Sequence, residues 1–516
     1  MTNETIIQYF HWYSPGNGVL WKDFARQAGR LAALGITMAW LPPASKGGSG
    51  GASVGYDVYD LFDLGEFDQQ GTIRTKYGTK EEYVKAIAAA HRHGIRVIAD
   101  TVLNHKAHGD ELEKVMARKV NPSNRTEFIS EPIEITAWTK FHFPGRNKKH
   151  SEFIWDFHCF SGVDWAENLK EAGVYKILNE YGDQWEQLAE EEYGNFDYLS
   201  FADIEYRNQA VREEVKYWGK WFLDTTGIDG FRLDAVKHIT PAFLNEWIDH
   251  IKSMTGKQVF FMGEYWNDRN AEILKKFIDV TGGRMQLVDA PLHNNFSRLS
   301  GDGRDYDLSA IFHNTLTALH PELSITFLSN HDSQPLQLLE KPIADWSKPL
   351  VYALMLLREQ GTPCVFYPDL FGASYTDKGK DGHQHDIVLN RVAALPAMIK
   401  ARNTLAYGLQ RDYFDHKTTV GWTREGTGDK RMSGLAVLMS CGDDGWKNMQ
   451  LGKRNAGKTF VDALGGIDDR IVLDKDGSAE FRCKGGSVAM WIDQQAVGYV
   501  AGDDEEIRDA LNPRSV

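Results

Sequence analysis

The sequence predicts an α/β fold, a (β/α)8 TIM barrel with an inserted domain after strand 3 and a C-terminal antiparallel β domain. Two observations predict the barrel. Short apolar runs alternate with helical patterns eight times, and polar side chains follow several of these runs at the same relative position. A chain of 516 residues is too long for one ordinary domain and leaves room for both additions.

Each barrel unit is an apolar run followed by a helical pattern. The predicted strands are 6–10, 36–41, 95–103, 228–233, 259–262, 285–288, 325–328 and 363–367. The predicted helices are 20–34, 81–93, 208–224, 241–254, 271–280, 308–319, 346–360 and 387–402. Gly35 and Gly94 follow the first two helices, where a residue that tolerates a left-handed backbone is expected.

The alternation is interrupted once and then ends, which divides the chain into domains. Residues 1–105 and 208–403 form the predicted catalytic barrel. Residues 106–207 are too long for a barrel loop and predict an inserted domain. Residues 404–495 carry short apolar runs between Gly and Asp turns, which predict a C-terminal β-sandwich domain. Residues 496–516 form an acidic tail that we expect to be weakly ordered.

Composition excludes several classes of partner. The net charge is −14 without a dense basic run, so nucleic acid and anionic membranes are poor candidates. No apolar run reaches the length of about 18 residues that a membrane span requires. The four cysteines form no CxxC pair, and no secretory signal is visible, so we expect a cytoplasmic monomer. A secreted protein whose signal had been removed would look the same.

One strand carries charges that need an explanation. Residues 227–238 form an apolar run that contains Asp229, Arg232 and Asp234. A buried charge is costly unless it is paired. Arg232 lies two residues before Asp234, on the same face of the strand, and a nearby cation lowers the pKa of a carboxyl group. We therefore expect Arg232 to keep Asp234 ionised as a nucleophile, with Asp100 as a second partner of Arg232; Asp229 is expected to be structural.

Three acids follow neighbouring strands at the same end of the barrel: Asp234, Glu264 and Asp332. A single acid there is usually a helix cap or a loop ion pair, but three together favour a glycosidase. Retaining hydrolysis needs one ionised carboxylate and one protonated acid about 5–5.5 Å apart. Tyr265 and Trp266 predict an apolar setting for Glu264, which would raise its pKa and suit a general acid/base. Asp332 is then available to stabilise positive charge on the sugar.

Other side chains at this end could bind sugar. We expect His105, His238 and His331 to hydrogen-bond hydroxyl groups, and Tyr56 and Trp266 to stack on sugar rings. For His331 a purely structural hydrogen bond is the alternative, and for Tyr56 it is simple packing.

Four segments containing these residues resemble the conserved regions of the α-amylase family, glycoside hydrolase family 13. They are 100–105 (DTVLNH), 230–234 (GFRLD), 263–264 (GE) and 327–332 (FLSNHD), in order and with compatible spacing. The resemblance covers about residues 6–492 and looks strongest to the liquefying and intracellular α-amylases of bacteria and fungi. Residues 8–13 (QYFHWY), 194–199 (GNFDYL) and 234–238 (DAVKH) point to that group.

The resemblance implies endo-hydrolysis of α-1,4-glucosidic bonds in starch, glycogen or maltodextrin, with retention through a covalent glycosyl-enzyme. Asp234 would be the nucleophile, Glu264 the general acid/base and Asp332 the stabiliser of the transition state. The remaining assignments are Arg232, His105, His331 and Tyr56 around the reacting sugar, and Lys237 and His238 on the leaving-group side.

The resemblance also implies a structural Ca²⁺ between the barrel and the insert. Its ligands would be Asn104, Asp197, Asp203, the backbone carbonyl of His238 and Asp164. Oxygen ligands suit calcium, although Asn and Asp are also common in turns. Where secreted bacterial relatives carry aspartates around a second cation, this sequence has Glu186 and Glu205, which counts against an additional sodium or calcium ion.

Three alternatives remain open. A transglycosylase or branching enzyme of the same family would form new linkages instead of hydrolysing them. A non-catalytic carbohydrate-binding relative would not need the complete set of acids. A metal-dependent hydrolase barrel would need several converging histidines, whereas the first strand offers only His11.

Overall fold

A closed barrel of eight parallel strands organises the chain. The computed structural model describes residues 3–256, 258–430 and 432–501. The first strand pairs with both the second and the eighth, Ile6 lying opposite Met38 on one side and Cys364 on the other, which closes the barrel. The strands are β1 Ile6–Gln8, β2 Met38–Leu41, β3 Arg96–Thr101, β4 Gly230–Leu233, β5 Phe260–Gly263, β6 Gln286–Val288, β7 Ser324–Phe327 and β8 Thr362–Phe366. The predicted (β/α)8 TIM barrel is confirmed.

Helices follow the barrel strands. Within the described residues the main ones are α1 Leu20–Leu34, α2 Lys80–Arg92, α3 Gln209–Thr226, α4 Pro241–Thr255, α5 Ala271–Thr281, α6 Ala290–Asp302, α7 Lys348–Leu356 and α8 Leu395–Thr404. Short helical turns lie at Leu316–Leu319, Tyr367–Phe371 and Val497–Val500. Gly35 ends α1 with a φ of 110°, as the sequence predicts, and Thr79 and Glu82 form a capping box at the start of α2.

Two predicted helices differ from the structure. Residues 308–319 were expected to be one helix, but only Leu308–Ala310 and Leu316–Leu319 are helical turns, and the main helix here is α6. Asp289 caps α6 by accepting a hydrogen bond from the Leu292 N–H at 3.0 Å. The predicted helix 387–402 was placed too early, because Gln384–Leu389 pairs with Ala373–Lys378 as a hairpin and α8 begins only at Leu395.

The segment between β3 and β4 forms a separate antiparallel sheet. Its strands are His105–Lys106, Glu111–Asn121, Asn124–Phe128, Ile133–Lys140, Phe160–Ala166, Glu171–Ile177 and Ala202–Ile204. Asp203 lies opposite His105 in this sheet, so the insert begins and ends beside the carboxyl end of β3. A second small sheet, Lys46–Gly47 with Val58–Asp60, lies after β2. This arrangement brings the insert to the end of the barrel where the acids lie.

The C-terminal part folds as β-structure. A six-stranded sheet contains Gln410–Tyr413, Thr419–Arg424, Leu435–Ser440, Ser487–Asp493, Thr459–Asp462 and Arg470–Val472, and Gly445–Gln450 pairs with Ser478–Cys483. Arg358 binds both carboxylate oxygens of Asp412, at 2.7 and 3.0 Å, which ties this part to the barrel. Residues 494–500 form helical turns, and the rest of the predicted acidic tail, 502–516, lies outside the described residues. No helix in the described part of the chain is long and apolar enough to cross a bilayer.

Candidate active site

A large cleft opens at the carboxyl ends of the barrel strands. Its cavity of about 1240 Å³ is lined by Asp234, Glu264 and Asp332, together with residues of the insert such as Glu192 and Phe196. Asp234 directly follows β4, Glu264 directly follows β5, and Asp332 lies in the loop after β7. The three acids that the sequence singles out therefore line one cavity, because parallel strands bring their carboxyl ends to the same face.

Arg232 is the charged centre of this site. Its guanidinium is almost fully buried and contacts three carboxylates. Nη1 lies 2.8 Å from Asp100 Oδ1 and 2.7 Å from Asp234 Oδ1, and Nη2 lies 2.7 Å from Glu264 Oε2. Arg232 and Asp100 are opposite each other in the pairing of β4 with β3. The fork of the guanidinium thus fixes the two acids that the reaction would use.

Asp100 is held by more than this ion pair. Its Oδ2 accepts hydrogen bonds from the Tyr56 hydroxyl at 2.8 Å and from Trp40 Nε1 at 2.9 Å. The Arg232 guanidinium also lies over the Trp40 ring, 5.1 Å from its centroid. These contacts give the fully buried Asp100 carboxylate its hydrogen-bond partners, and they hold Arg232 in position.

The pKa of Asp234 moves in the direction opposite to the predicted one. Burial raises it well above the usual value, the charges of Glu264 and Asp100 add to the rise, and Arg232 lowers it. Burial also raises the pKa of Asp332 to about 7, with Glu264 adding to the shift and Arg232 opposing it. The predicted Arg232–Asp234 contact is present. However, one guanidinium faces three carboxylates, so its charge is shared.

The surroundings of Glu264 are more polar than the sequence indicates. Besides the Arg232 contact, its Oε2 accepts a long hydrogen bond of 3.4 Å from the Ala235 N–H. Ala235 has a φ of 50°, a left-handed conformation that is costly for a residue with a side chain. This turn directs the backbone N–H after Asp234 toward Glu264, and therefore couples the two acids through the backbone as well as through Arg232.

His331 lies beside Asp332 and carries no positive charge. Burial lowers its pKa well below the usual value, and the charge of Arg232 adds to this. Gln8 Nε2 donates to Nδ1 of His331 at 3.1 Å, which leaves the ring proton on Nε2. Nε2 lies 3.3 Å from Asp332 Oδ2 without an aligned hydrogen bond, so it is a buried donor without a partner in the described structure.

An aromatic wall forms beside these residues. The ring of Tyr56 stacks on His331 at 4.9 Å between centroids and on Trp12 at 5.9 Å, with interplanar angles of 7° and 2°. Trp12 lines the cavity, and it is a residue that the sequence reasoning did not select. Its only sequence signal is its place in the 8–13 segment.

The other two histidines are anchored by backbone carbonyls. His105 Nε2 donates to the Tyr56 carbonyl at 2.8 Å, and His238 Nδ1 donates to the Phe196 carbonyl at 2.6 Å. Burial lowers the pKa of His238 to about 3, so this ring is neutral. Both histidines line the cleft, and His238 also joins the β4 loop to the insert through Phe196.

Lys237 and Trp266 lie on one side of the cleft. Lys237 pairs with Glu192 of the insert, and its Nζ donates to the Trp266 carbonyl at 3.4 Å. Glu190 accepts a hydrogen bond from the Tyr265 hydroxyl at 2.8 Å. These contacts make the insert segment 190–196 part of the wall of the cleft. The sequence did not predict this, because the segment is distant in the chain from the residues that it contacts.

The predicted calcium residues lie where the insert meets β3. Asn104 Nδ2 donates to Asp203 Oδ1 at 3.3 Å, and Asp197 Oδ2 accepts from the Glu186 N–H at 3.1 Å. The buried oxygens Asn104 Oδ1 and Glu186 Oε1 have no partner among the described residues. Burial raises the pKa of Asp197 to about 7 and that of Asp203 well above its usual value. A bound cation would provide a partner for these oxygens, so the residues at this place are suited to a metal ion.

Two observations limit this fit. In the described part of the chain, no three His, Cys, Asp or Glu side chains are arranged as ligands of one metal ion. Asp164 points elsewhere, since its Oδ2 accepts a hydrogen bond from the Phe201 N–H at 3.0 Å and it lines a different cavity. Glu186, which the sequence analysis aligned with a second cation position, lies with this group through its unpartnered Oε1.

A second cavity lies beside the cleft. It has a volume of about 540 Å³, shares Phe201 with the main cleft, and is lined by Trp138 and Trp165 of the insert. These indole side chains are 44% and 36% exposed, which is unusual for tryptophan. Sequence reasoning treated most aromatic residues as core, and no local signal distinguishes these two.

Comparisons with known proteins identify the family of this chain. The profile of the α-amylase catalytic domain matches residues 27–425. The chain is 48% identical to the cytoplasmic α-amylase of Escherichia coli K12, over 96% of this chain and 100% of that protein. It is 47% identical to an α-amylase of Geobacillus stearothermophilus, over 95% of this chain and 87% of that protein.

A maltohexaose-forming relative and a solved structure extend the comparison. The chain is 42% identical to the glucan 1,4-α-maltohexaosidase of Bacillus sp. strain 707, over 96% of this chain and 93% of that protein. The crystal structure of the Geobacillus thermoleovorans α-amylase with acarbose aligns with this structure at a TM-score of 0.62 and 17% identity, over 95% of this chain and 97% of that chain. The two proteins thus share a fold. With the domain profile spanning most of the barrel and relatives above 40% identity over nearly the whole chain, this protein belongs to the α-amylase family of glycoside hydrolases.

Proposed function

We propose that the chain is a retaining α-amylase that cleaves internal α-1,4-glucosidic bonds of starch, glycogen or maltodextrin. The observation that carries the proposal is that one guanidinium, Arg232, binds both Asp234 and Glu264 at 2.7 Å. Carboxylates that share one guanidinium are separated by a short gap. Such a gap favours retention, which uses a separation of about 5–5.5 Å, over inversion at about 6.5–9.5 Å.

In the first step, Asp234 attacks the anomeric carbon while Glu264 donates a proton to the glycosidic oxygen, so the bond to the leaving glucan breaks. The product is a glycosyl ester on Asp234. In the second step, Glu264 takes a proton from water, whose oxygen attacks the anomeric carbon and releases Asp234. Two displacements at the same carbon retain its configuration.

Asp332 and the aromatic wall would stabilise the reacting sugar. The positive charge that develops at the anomeric carbon is attracted by the Asp332 carboxylate. Nε2 of His331 is a buried donor without a partner, and it would reach a sugar hydroxyl only if substrate entered beside Asp332; Tyr56 offers a ring face. Arg232 and His105 hold this part of the site in place.

Lys237, His238 and Trp266 would bind the leaving-group side. Endo-cleavage needs a cleft that accepts sugar on both sides of the reacting bond. Support comes from the second cavity, where the exposed Trp138 and Trp165 offer flat apolar faces. We propose that glucan extends into it.

Product analysis tests this function. Wild-type enzyme acting on soluble starch and maltoheptaose should release shorter α-1,4 oligosaccharides whose new reducing ends are initially α, as followed by NMR. Asp234→Asn and Glu264→Gln should each lower kcat by about 10³-fold or more, since each removes an essential group. Asp229→Asn is the matched control, because Asp229 lies before β4 and binds His91 at 2.8 Å, away from the cleft.

Three results would contradict the proposal. New α-1,6 linkages or longer chains would indicate a transglycosylase or branching enzyme. Near-normal activity of Asp234→Asn would reject the assigned roles, and glucan binding without any products would indicate a non-catalytic relative.

We further propose that Ca²⁺ binds where the insert meets the barrel. Asn104, Asp197, Asp203 and the His238 carbonyl would hold it, without Asp164, whose carboxylate accepts from the Phe201 N–H. The unpartnered oxygens Asn104 Oδ1 and Glu186 Oε1 support the proposal. Bound calcium would neutralise buried carboxylates and fasten the insert to the β4 loop. Metal analysis after dialysis should find calcium, and a protein that lacks it and is insensitive to chelators would reject the site.

We also propose a cytoplasmic monomer. The name of the Escherichia coli relative supports the location, and the described cleft lies within one chain. Cell fractionation and light scattering test these two points; a secreted protein or a stable oligomer would contradict them.

A further inference from the structure

The loop that follows β7, residues 332–341, presents an exposed leucine to the cleft. Leu338 lines the same cavity as the three acids, and it is 82% exposed, more than any other large apolar residue in the described part of the chain. Single exposed leucines are common on protein surfaces and need no explanation there. A leucine that a fixed loop holds at the wall of a substrate cleft is different, because a ligand can cover it.

Backbone hydrogen bonds fold this β7 loop back onto its own start. The Leu339 N–H donates to the Asp332 carbonyl at 3.1 Å, and the Lys341 N–H donates to the Ser333 carbonyl at 3.0 Å. Asn330 fixes the start itself, since its Oδ1 accepts from the N–H groups of Asp332 and Ser333 at 3.0 and 2.8 Å. The far part of the loop is therefore tied to the acid at its start.

Two tyrosines hold the side of the loop that faces β1 and β8. Gln337 Nε2 donates to the Tyr13 hydroxyl at 2.8 Å, and the Tyr375 hydroxyl donates to the Pro335 carbonyl at 2.9 Å. The two tyrosine rings stack with 3.9 Å between their centroids. Because Tyr13 follows β1 and Tyr375 follows β8, residues 335–337 are fixed on this side of the barrel.

Lys341 holds the opposite side of the loop. Its Nζ binds the Asp268 carboxylate and donates to Asn294 Oδ1 at 2.5 Å. The Lys341 and Asp268 side chains are only 27% and 21% exposed, so water shields this ion pair only in part. Asp268 lies in the loop after β5, and Asn294 lies on α6, which follows β6. Lys341 thus bridges the loops that carry Glu264 and Asp332.

The order of the barrel strands decides on which side of the cleft the leucine lies. Around the barrel the order is β1, β8, β7, β6, β5 and β4. Residues 335–337 contact the β1 and β8 side, whereas Lys341 contacts the β5 and β6 side, so the chain from Leu338 onward runs toward the β5 loop. That loop contains Trp266, which lies with Lys237 where the proposed function has the leaving group.

We propose that the β7 loop determines how glucan binds beyond the cleaved bond, with Leu338 as the contact and Lys341 as the positioning residue. The inference rests on the proposed function for the identity of the ligand. Glucose rings have apolar C–H faces, and covering an exposed leucine with such a face removes apolar surface from water. This contact favours binding modes that place more glucose units on the leaving-group side.

The experiment uses matched pairs of variants of the full chain. Leu338→Ala removes the contact, and Leu338→Met keeps an apolar side chain of similar size. Lys341→Met removes the charge at similar length, and Lys341→Arg keeps the charge. Leu409→Ala is the control for an exposed leucine, since Leu409 is 60% exposed and lies outside the cleft. Lys85→Met is the control for an ion pair, since Lys85 pairs with Glu81 on the surface of α2.

The measurement is the bond that each variant cleaves in maltoheptaose labelled at its reducing end. Leu338→Ala should shift cleavage toward the reducing end, because fewer glucose units are held on the leaving-group side. The share of the bond that the wild type prefers should fall about twofold or more, and KM should rise about threefold to tenfold, with kcat little changed. Lys341→Met should shift cleavage in the same direction and also lower kcat, because its loop is tied to Asp332. Leu338→Met, Lys341→Arg and both controls should keep the wild-type pattern.

An unchanged cleavage pattern and KM in Leu338→Ala would overturn the inference, as would the same shift in Leu409→Ala. A wild-type pattern in Lys341→Met would overturn its positioning role. Calorimetry separates these results from a failure of the proposed function, because it needs no turnover. In the Glu264→Gln background, adding Leu338→Ala should weaken maltoheptaose binding about threefold to tenfold. A wild type that binds maltoheptaose without cleaving it would reject the proposed function, and this binding comparison would still decide the role of Leu338.

Discussion

Replacing Arg232 with lysine tests whether one guanidinium organises the reacting acids. The three contacts of Arg232 are 2.7–2.8 Å long and fully buried. A lysine keeps the positive charge but has no planar fork, so it cannot hold Asp100, Asp234 and Glu264 together. A hydrogen bond to a charged group contributes about 1.5–3 kcal/mol. Losing two of them corresponds to about 3–6 kcal/mol, or a fall in kcat/KM of about 10²–10⁴-fold.

The pH dependence separates this effect from general damage. Burial already raises the pKa of Asp234, and Arg232 is the group that lowers it. With a weaker contact that pKa rises further, so Asp234 stays protonated to a higher pH. The acidic limb of kcat/KM should therefore move upward by about one unit. Arg358→Lys is the control: it loses the paired contact to Asp412 and should lower Tm while leaving the pH profile in place. An Arg232→Lys enzyme with unchanged Tm, kcat/KM and acidic limb would refute the reasoning.

Three further predictions concern the surroundings of the site. Tyr56→Phe removes the 2.8 Å hydrogen bond to Asp100 but keeps the ring, and should lower kcat/KM by about tenfold with little change in starch binding; an equal loss of binding would show that stacking was disturbed. In EDTA, the free energy of unfolding should fall as pH rises from 4 to 7. Burial raises the folded-state pKa of Asp197 to about 7, so ionisation of this carboxyl group opposes folding. The loss is about 4 kcal/mol, calcium should abolish it, and a flat Tm profile would contradict it. Trp138→Ala should shorten the products from maltoheptaose and raise KM for starch several-fold, whereas unchanged products would exclude a sugar contact there.

Much of the catalytic centre could be predicted because parallel strands leave little freedom. Once residues 96–101 and 230–233 are adjacent strands, Arg232 lies opposite Asp100, and Asp234 emerges at the same end as Glu264. Hydrophobic periodicity identifies the strands, and the parallel order of the barrel then brings their carboxyl ends together. The contact between Arg232 and Glu264 was missed, since the local neighbours of Glu264 are apolar and the arginine arrives from another strand.

The features that the sequence did not predict share a physical cause: each depends on contacts between segments that are distant in the chain. α6 was overlooked because residues 290–302 contain Pro291 and several polar residues, and its start is set by the side chain of Asp289. Trp138 and Trp165 have the sequence signature of core residues, although the structure leaves them exposed.

Buried carboxylates collect at two places, the catalytic centre and the junction of the insert with β3. At the catalytic centre Arg232 faces Asp100, Asp234 and Glu264, so buried negative charge is left over. At the insert, the described contacts of the Asp197 and Asp203 carboxylates are hydrogen bonds, without an ion pair. At both places burial raises the carboxyl pKa values and neighbouring carboxylates add to the rise, so positive charge would stabilise the ionised forms. A metal ion would supply it permanently at the insert. At the catalytic centre the charge appears only when the anomeric carbon becomes cationic, so the strain of the resting site is relieved in the transition state and lowers its barrier.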